Sequence, residues 1–334
     1  MAKRTLAGIW AKSFERSVSA WAREGMRQGR QQFGQVAKQV TKAAAEKRKP
    51  PPGPGDWLPG LAVGLTGLLR FHVYRPAGLH YAERVPVLVM LHGCGQDARG
   101  FALSTRMNRV ADKERFVVLY PEQDRVANAQ GCWSWFDIRS GRAYKEASLI
   151  LKALDQVSLL YPVDASRVAI AGLSAGASMA ALLATRHPQR FKAVVMHSGV
   201  APGSADTSAA AMRAMRGRQL LTPLEAGEAL PPLMVIHGSH DTVVSSRNAR
   251  ATANLWADAA GATASDARRV QRGQRHPMTI TDHKRRGRDV ATLVEVDMLG
   301  HAWSGGAAKK PYSDSRGPDA SRLAWQFAAR QFKA

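Results

Sequence analysis

The sequence predicts an α/β protein: a mostly parallel central sheet with helices on both faces, preceded by a basic N-terminal helical extension. Three observations carry this. Apolar runs alternate with stretches of helical periodicity across residues 68–332, the order that a parallel sheet and its crossover helices require. The run from Val85 to Leu91 is apolar throughout, as a strand covered on both faces is. Val168-Ala169-Ile170-Ala171-Gly172-Leu173-Ser174-Ala175-Gly176 passes from a strand pattern into a small-residue helix through a G-x-S-x-G sequence.

Composition bounds the rest. The chain has 334 residues and a formal charge of +22, enough length for one large α/β domain and an appendage. Residues 1–49 hold twelve Lys or Arg against three Glu, a net +9, which leaves +13 for the remainder. Such a balance predicts attraction to anionic surfaces; its plainer meaning is solubility and a nonspecific arm. Zinc-finger spacing, RNP-like aromatics and a Walker loop are all missing, so no specific nucleic-acid reader is expected. The two cysteines, Cys94 and Cys132, are not a C-x-x-C pair, and no metal or cofactor is expected. No run of 18 apolar residues marks a transmembrane segment. The first residues lack the continuous apolar core of a secretory signal, so a cytoplasmic location is expected, with secretion as the alternative.

Read in order, residues 1–49 form an amphipathic arm. Leu6, Ile9, Trp10, Phe14, Val18 and Trp21 recur at helical spacing, opposite Lys12, Arg16, Arg23 and Arg27. Such a helix seeks a surface: a membrane, a polymer granule, a partner protein or its own domain. Residues 50–60 open with Pro50-Pro51-Pro52-Gly53-Pro54-Gly55 and read as a stiff linker; the catalytic domain is placed at 61–334. Strands are expected at 69–76, 85–91, 116–121, 193–198, 231–238 and 292–297, besides the one that ends at Leu173. Helices are expected near 100–114, 145–160, 246–260 and 318–332. Residues 204–228 fit a lid or insertion, and 265–289 are unusually basic.

In a parallel sheet the loops after the strands converge on one edge. Ser174, Asp241 and His301 each follow an expected strand there, in the order Ser, Asp, His found in α/β-hydrolases. A serine hydroxyl is a poor nucleophile until a base takes its proton. His301 would take it, and Asp241 would hold the imidazole tautomer. The glycines flanking Ser174 admit the close approach of strand and helix. His92, His197, His237 and His240 are rivals at strand ends; Asp297, four residues before His301, competes with Asp241. An oxyanion hole needs two N–H donors. Ala175, directly after the serine, supplies one. The loop His92-Gly93-Cys94-Gly95 supplies the other, from Cys94, with Gly93 and Gly95 as alternatives.

At this point the residues resemble a known family. Leu91-His92-Gly93-Cys94-Gly95-Gln96, Cys132-Trp133-Ser134-Trp135-Phe136, Gly172-Leu173-Ser174-Ala175-Gly176 and Gly300-His301-Ala302-Trp303-Ser304-Gly305-Gly306 look like the poly(3-hydroxybutyrate) depolymerase family of esterases. The segment from Pro311 to Ser321 also resembles it, so the likeness runs from about residue 68 to 332. It is the catalytic-domain type shared with feruloyl and acetylxylan esterases. The resemblance implies Ser174, Asp241 and His301 as catalytic residues, Cys94 and Ala175 at the oxyanion hole, and a Cys94–Cys132 disulfide. It implies that Trp133, Trp135 and Trp303 contact the acyl or polymer chain; packing is their plainer role. Ser304 stands where the family often has proline. A secretion signal and a separate substrate-binding domain, carried by secreted polymer degraders, are not expected.

The expected activity is that of a serine esterase acting on polyhydroxybutyrate or hydroxyalkanoate oligomers, with a feruloyl, acetyl or other short-chain carboxylesterase as the alternative. A granule- or surface-binding protein with a degenerate hydrolase domain is the alternative of another class. The expected partners are an ester substrate and, through residues 1–49, a granule or anionic surface.

Overall fold

Pairing of the apolar strands builds one sheet that runs through the whole catalytic unit. The structure, a computed structural model, describes residues 49–126, 128–218, 221–224 and 229–333. The basic arm expected at 1–49 lies outside these residues, apart from Lys49. The main strands are β1 (Asp56–Gly64), β2 (Gly67–Arg75), β3 (Val85–Leu91), β4 (Val117–Glu122), β5 (Val163–Leu173), β6 (Ala193–His197) and β7 (Leu233–Gly238). After them come β8 (Thr263–Ala264), β9 (Arg268–Val270), β10 (Met278–Arg285) and β11 (Arg288–Val296), then a small separate pair, β12 (Trp303–Ser304) and β13 (Ser313–Asp314). The order across the sheet is β1-β2-β4-β3-β5-β6-β7-β11-β10-β8, with β9 also on β10. The six strands from β4 to β11 are mutually parallel. Antiparallel strands close both edges.

Seven α-helices lie among the described residues: α1 (Ala98–Thr105), α2 (Met107–Glu114), α3 (Arg142–Leu160), α4 (Ala175–Arg186), α5 (Ser208–Met215), α6 (Arg247–Ala260) and α7 (Ala320–Gln331). Strand periodicity sorts the core into two layers. Val87, Val89, Leu91, Val168 and Ile170 face α3, α4 and α6. Leu88, Met90, Ala169, Ala171 and Leu173 face α1, α2 and α7. All seven residues of β3 are therefore buried, which is why that run reads as apolar throughout. Side-chain caps fix where α1 and α7 begin: Asp97 accepts from Gly100 N–H at 2.6 Å and Asp319 from Arg322 N–H at 3.1 Å.

One expectation needs correction. The linker ends before residue 60, because Asp56–Gly64 is β1, paired along its length with β2. Pro59 survives there because β1 is an edge strand, where a missing N–H costs no ladder bond. The basic stretch 265–289, given no element from the sequence, is largely strand. It holds β8's partner strand β10, mostly half-buried, and the short β9, an antiparallel edge in which Arg268 pairs Asp282 at 2.5 Å. Of the insertion expected at 204–228, α5 and its flanks are described.

Candidate active site

The elbow at Ser174 exists because the residues two before and two after it, Gly172 and Gly176, have no side chains. A Cβ on Gly172 would lie 2.3 Å from Gly176 backbone, and one on Gly176 would lie 2.2 Å from Leu91 carbonyl oxygen. Strand β5 and helix α4 can thus fold sharply against β3. Ser174 occupies the apex with φ 56° and ψ −121°, a region costly for a residue with a side chain. Its N–H donates to the His197 carbonyl at 2.9 Å.

Asp241 and His301 come from the loops after β7 and β11, which are neighbours in the sheet. The two loops are joined by Ser239 N–H to Val296 O at 2.9 Å, His240 N–H to Leu299 O at 3.0 Å and Met298 N–H to Ser239 Oγ at 3.0 Å. Gly238 permits that contact, since a Cβ there would sit 2.0 Å from Leu299 O. His301 Nδ1–H donates to Asp241 Oδ2 at 2.8 Å, which leaves Nε2 as the basic nitrogen. The other oxygen, Oδ1, accepts from Val243 N–H at 3.0 Å and Val244 N–H at 2.8 Å. Burial pushes the Asp241 carboxyl upward, but the hydrogen bonds from His237, His301 and Val244 outweigh it and hold it far below the ordinary carboxylate range. Asp297 is not the partner: it pairs with Arg269 at 2.5 Å.

The oxyanion loop resolves by elimination. Gly93 N–H is spent on Gln96 Oε1 at 3.0 Å, and Gly95 N–H on Gln130 O at 2.8 Å. Cys94 N–H and Ala175 N–H have no acceptor among the described residues. His92 holds the loop from beneath. Its buried ring accepts from Gln123 N–H at 3.1 Å, so the proton sits on Nδ1 and is donated to Gly93 O at 2.9 Å. Burial lowers its pKa, with the Gly93 carbonyl acting against that shift, so the ring is neutral.

Ser174, Ala175 and Cys94 open on a cavity of about 290 Å³ with mainly apolar walls. Trp133, Trp135 and Phe136 form one side; Ala211, Met212 and Met215 of α5 form another. Cys94 and Cys132 are joined by a disulfide, which ties the aromatic loop to the oxyanion loop. Trp133 Nε1–H donates to His92 O at 3.0 Å, a second tie, and Ser134 N–H donates to Glu146 of α3 at 2.7 Å, which fixes the aromatic loop to that helix. Trp303 departs from expectation. It is fully buried in the layer beneath α1 and α7, not in the cavity wall. Its ring stacks on His197 at 5.1 Å and meets Phe101 edge-on at 5.5 Å, and its N–H goes to Ser321 Oγ at 3.0 Å. That is a packing role: the residue after Ala302 turns inward to anchor the His301 loop.

Two contributors were visible only as unassigned histidines at strand ends. His237 Nε2–H lies 2.9 Å from Val244 O and 3.4 Å from Asp241 Oδ2, a second donor to the carboxylate. His197 accepts from Ser304 N–H at Nε2, 3.1 Å away. Position at the edge where the loops converge was their signal; which partner each would meet depended on loop paths that no local pattern encodes.

The family model described as esterase PHB depolymerase matches residues 69–276. Poly(3-hydroxyalkanoate) depolymerase C of Paucimonas lemoignei is 29% identical over 56% of this chain and 47% of its own length, so the chain spans about half of that relative. Feruloyl esterase B of Neurospora crassa is 29% identical over 58% of this chain and 70% of its own. Acetyl xylan esterase from Aspergillus awamori superposes with a TM-score of 0.62 at 19% identity, covering 75% of this chain and 94% of that one, which shows the α/β-hydrolase fold. The match to the family model spans more than half of the chain, and the protein belongs to this family of PHB-depolymerase-type esterases.

Proposed function

We propose that the protein is a serine esterase that hydrolyses polyhydroxybutyrate or its oligomers through an acyl-enzyme. Ser174 Oγ attacks the ester carbonyl while His301 Nε2 takes its proton, and the carbonyl oxygen becomes an oxyanion facing Cys94 and Ala175 N–H. Collapse breaks the ester C–O bond, and His301 returns the proton to the leaving alcohol. Water then repeats the sequence, and the acid is released with Ser174 restored. Asp241 keeps the tautomer and offsets the imidazolium charge. The observation that carries this reading is the 2.8 Å Asp241–His301 bond, set on the same sheet edge as the strained Ser174 apex.

The acyl group is the finer part of the proposal. An apolar cavity of about 290 Å³ suits a short hydroxyacyl unit better than an acetyl group alone. The likeness to feruloyl and acetylxylan esterases supports the second reading, a carboxylesterase of that type. Turnover of 3-hydroxybutyrate oligomers, methyl ferulate and acetylated xylan by the full chain separates them; preference for the ferulate or the xylan removes the first reading. In the first reading residues 1–49 bring the enzyme to a polymer granule, supported by their charge and apolar stripe. Deleting them should abolish co-sedimentation with amorphous granules and spare soluble-ester turnover; retained co-sedimentation contradicts this part.

A further inference from the structure

We propose that the cleft between α2 and α7 binds a ligand bearing a phosphoryl group. The cleft holds about 270 Å³ and shares no residue with the cavity at Ser174. It lies on the sheet face covered by α1, α2 and α7, whereas α4 and α5 border the Ser174 cavity. Five cations line it, Arg106, Arg109, Lys113, Arg275 and Arg322, against two carboxylates, Glu114 and Asp319. One Asp319 oxygen is already committed to capping α7.

The cations are set in place but not neutralised. Arg106 donates to the Gly305 carbonyl, and Arg275 to the Gly317 carbonyl at 2.6 Å. A carbonyl orients a guanidinium without cancelling its charge. Other arginines of the domain find carboxylates, as Arg250 finds Glu295 and Arg269 finds Asp297. Arg109, Lys113 and Arg322 have no such partner among the described residues. A surplus of three positive charges gathered in a concave site needs a polyvalent anion. A carboxylate brings one charge, whereas a phosphate monoester brings nearly two and offers oxygens that match guanidinium forks. Trp325 and Val110, also in the wall, give an apolar surface for the carbon skeleton that carries the phosphate. A lipid headgroup and a soluble phosphate ester share this chemistry.

The test uses the full chain and the variant Arg109→Gln/Lys113→Gln/Arg322→Gln. All three side chains are exposed, so the fold should survive, and unchanged hydrolysis of a soluble ester verifies it. Arg285→Gln/Arg286→Gln/Arg288→Gln, in the hairpin between β10 and β11, removes the same charge elsewhere. Calorimetric titration with glycerol 3-phosphate, and sedimentation with phosphatidylcholine vesicles with and without phosphatidic acid, read binding near physiological ionic strength. The expected result is saturable binding in the wild type and the hairpin variant, weakened about tenfold or more in the cleft variant. Binding of glycerol 3-phosphate identifies a soluble ester as the source. Binding of the phosphatidic acid vesicles alone, lost in the cleft variant, identifies a headgroup. Equal binding by the cleft variant and the wild type, or no saturable binding to either probe, overturns the proposal.

Discussion

His197 Nε2 accepts a hydrogen bond from Ser304 N–H at 3.1 Å, while the His197 carbonyl accepts from Ser174 N–H at 2.9 Å. One buried residue thus fixes the nucleophile's turn and, three residues past His301, the loop of the proposed base. Because Ser304 fills Nε2 with a donor, the ring proton sits on Nδ1 and points to Ser198 Oγ at 3.2 Å. Burial, then the neighbouring His237 and His301 against the opposing Asp241, lowers the His197 pKa to about 3.

That arrangement gives a signed pH effect. With the folded pKa depressed, the unfolded chain binds the proton first as pH falls from 6.5 toward 3. The contribution is intact above that window and lost through it, by up to about 1.4 kcal/mol per pH unit. His197→Gln keeps an acceptor for Ser304 N–H but cannot be charged. Denaturant titrations between pH 4 and 7 should show a shallower acid slope in the variant, roughly one proton less. Identical slopes would remove His197 from the account.

Asp241→Asn tests the tautomer. The amide can no longer accept through both of its side-chain atoms, and it loses the negative charge opposite His301. A kcat drop of about 10³–10⁴ with little change in KM is expected. The acid limb of wild-type kcat/KM should carry no step from Asp241, since its carboxylate stays ionised throughout. A limb steeper than one proton contradicts this.

The Cys94–Cys132 disulfide joins positions 38 apart in sequence and ties the oxyanion loop to the aromatic loop. Replacing both cysteines by serine should cost about 2–4 kcal/mol of stability. Activity should fall less, because Trp133 Nε1 remains bonded to His92 O and Ser134 N–H to Glu146. Thermal unfolding of the two forms reads the first effect and soluble-ester kinetics the second.

Ala211 on α5 faces the cavity beside Met212 and Met215. Ala211→Phe should narrow it and lower kcat/KM for hydroxybutyrate oligomers on the order of tenfold, while p-nitrophenyl acetate turnover holds. An equal loss for both substrates would place the acyl group elsewhere.

Much of this was legible in the chain because the signals were local. Val85 to Leu91 announced a strand buried on both faces, and Gly172-Leu173-Ser174-Ala175-Gly176 announced its turn. Chain order admitted both Asp241 and Asp297, and Asp297 read more plainly as a surface carboxylate at a strand end; the 2.8 Å bond from His301 goes to Asp241. What escaped depends on neighbours distant in sequence. Asp56–Gly64 follows a proline run and carries Pro59, so only its pairing with β2 marks it as a strand. Polar and charged residues hid β9 and β10, since strands at the sheet edge need few fully buried apolar residues. Trp303 sits one residue past Ala302, and no pattern says which way it turns. The choice among Gly93, Cys94 and Gly95 rested on partners at Gln96 and Gln130.

Site-resolved labelling by a fluorophosphonate tests the central claim most directly. The full chain, treated to completion and digested, should carry one label, on Ser174, with ester turnover lost in proportion to its incorporation; Asp241→Asn should label far more slowly. A label on another serine, or full turnover in completely labelled protein, would contradict the account.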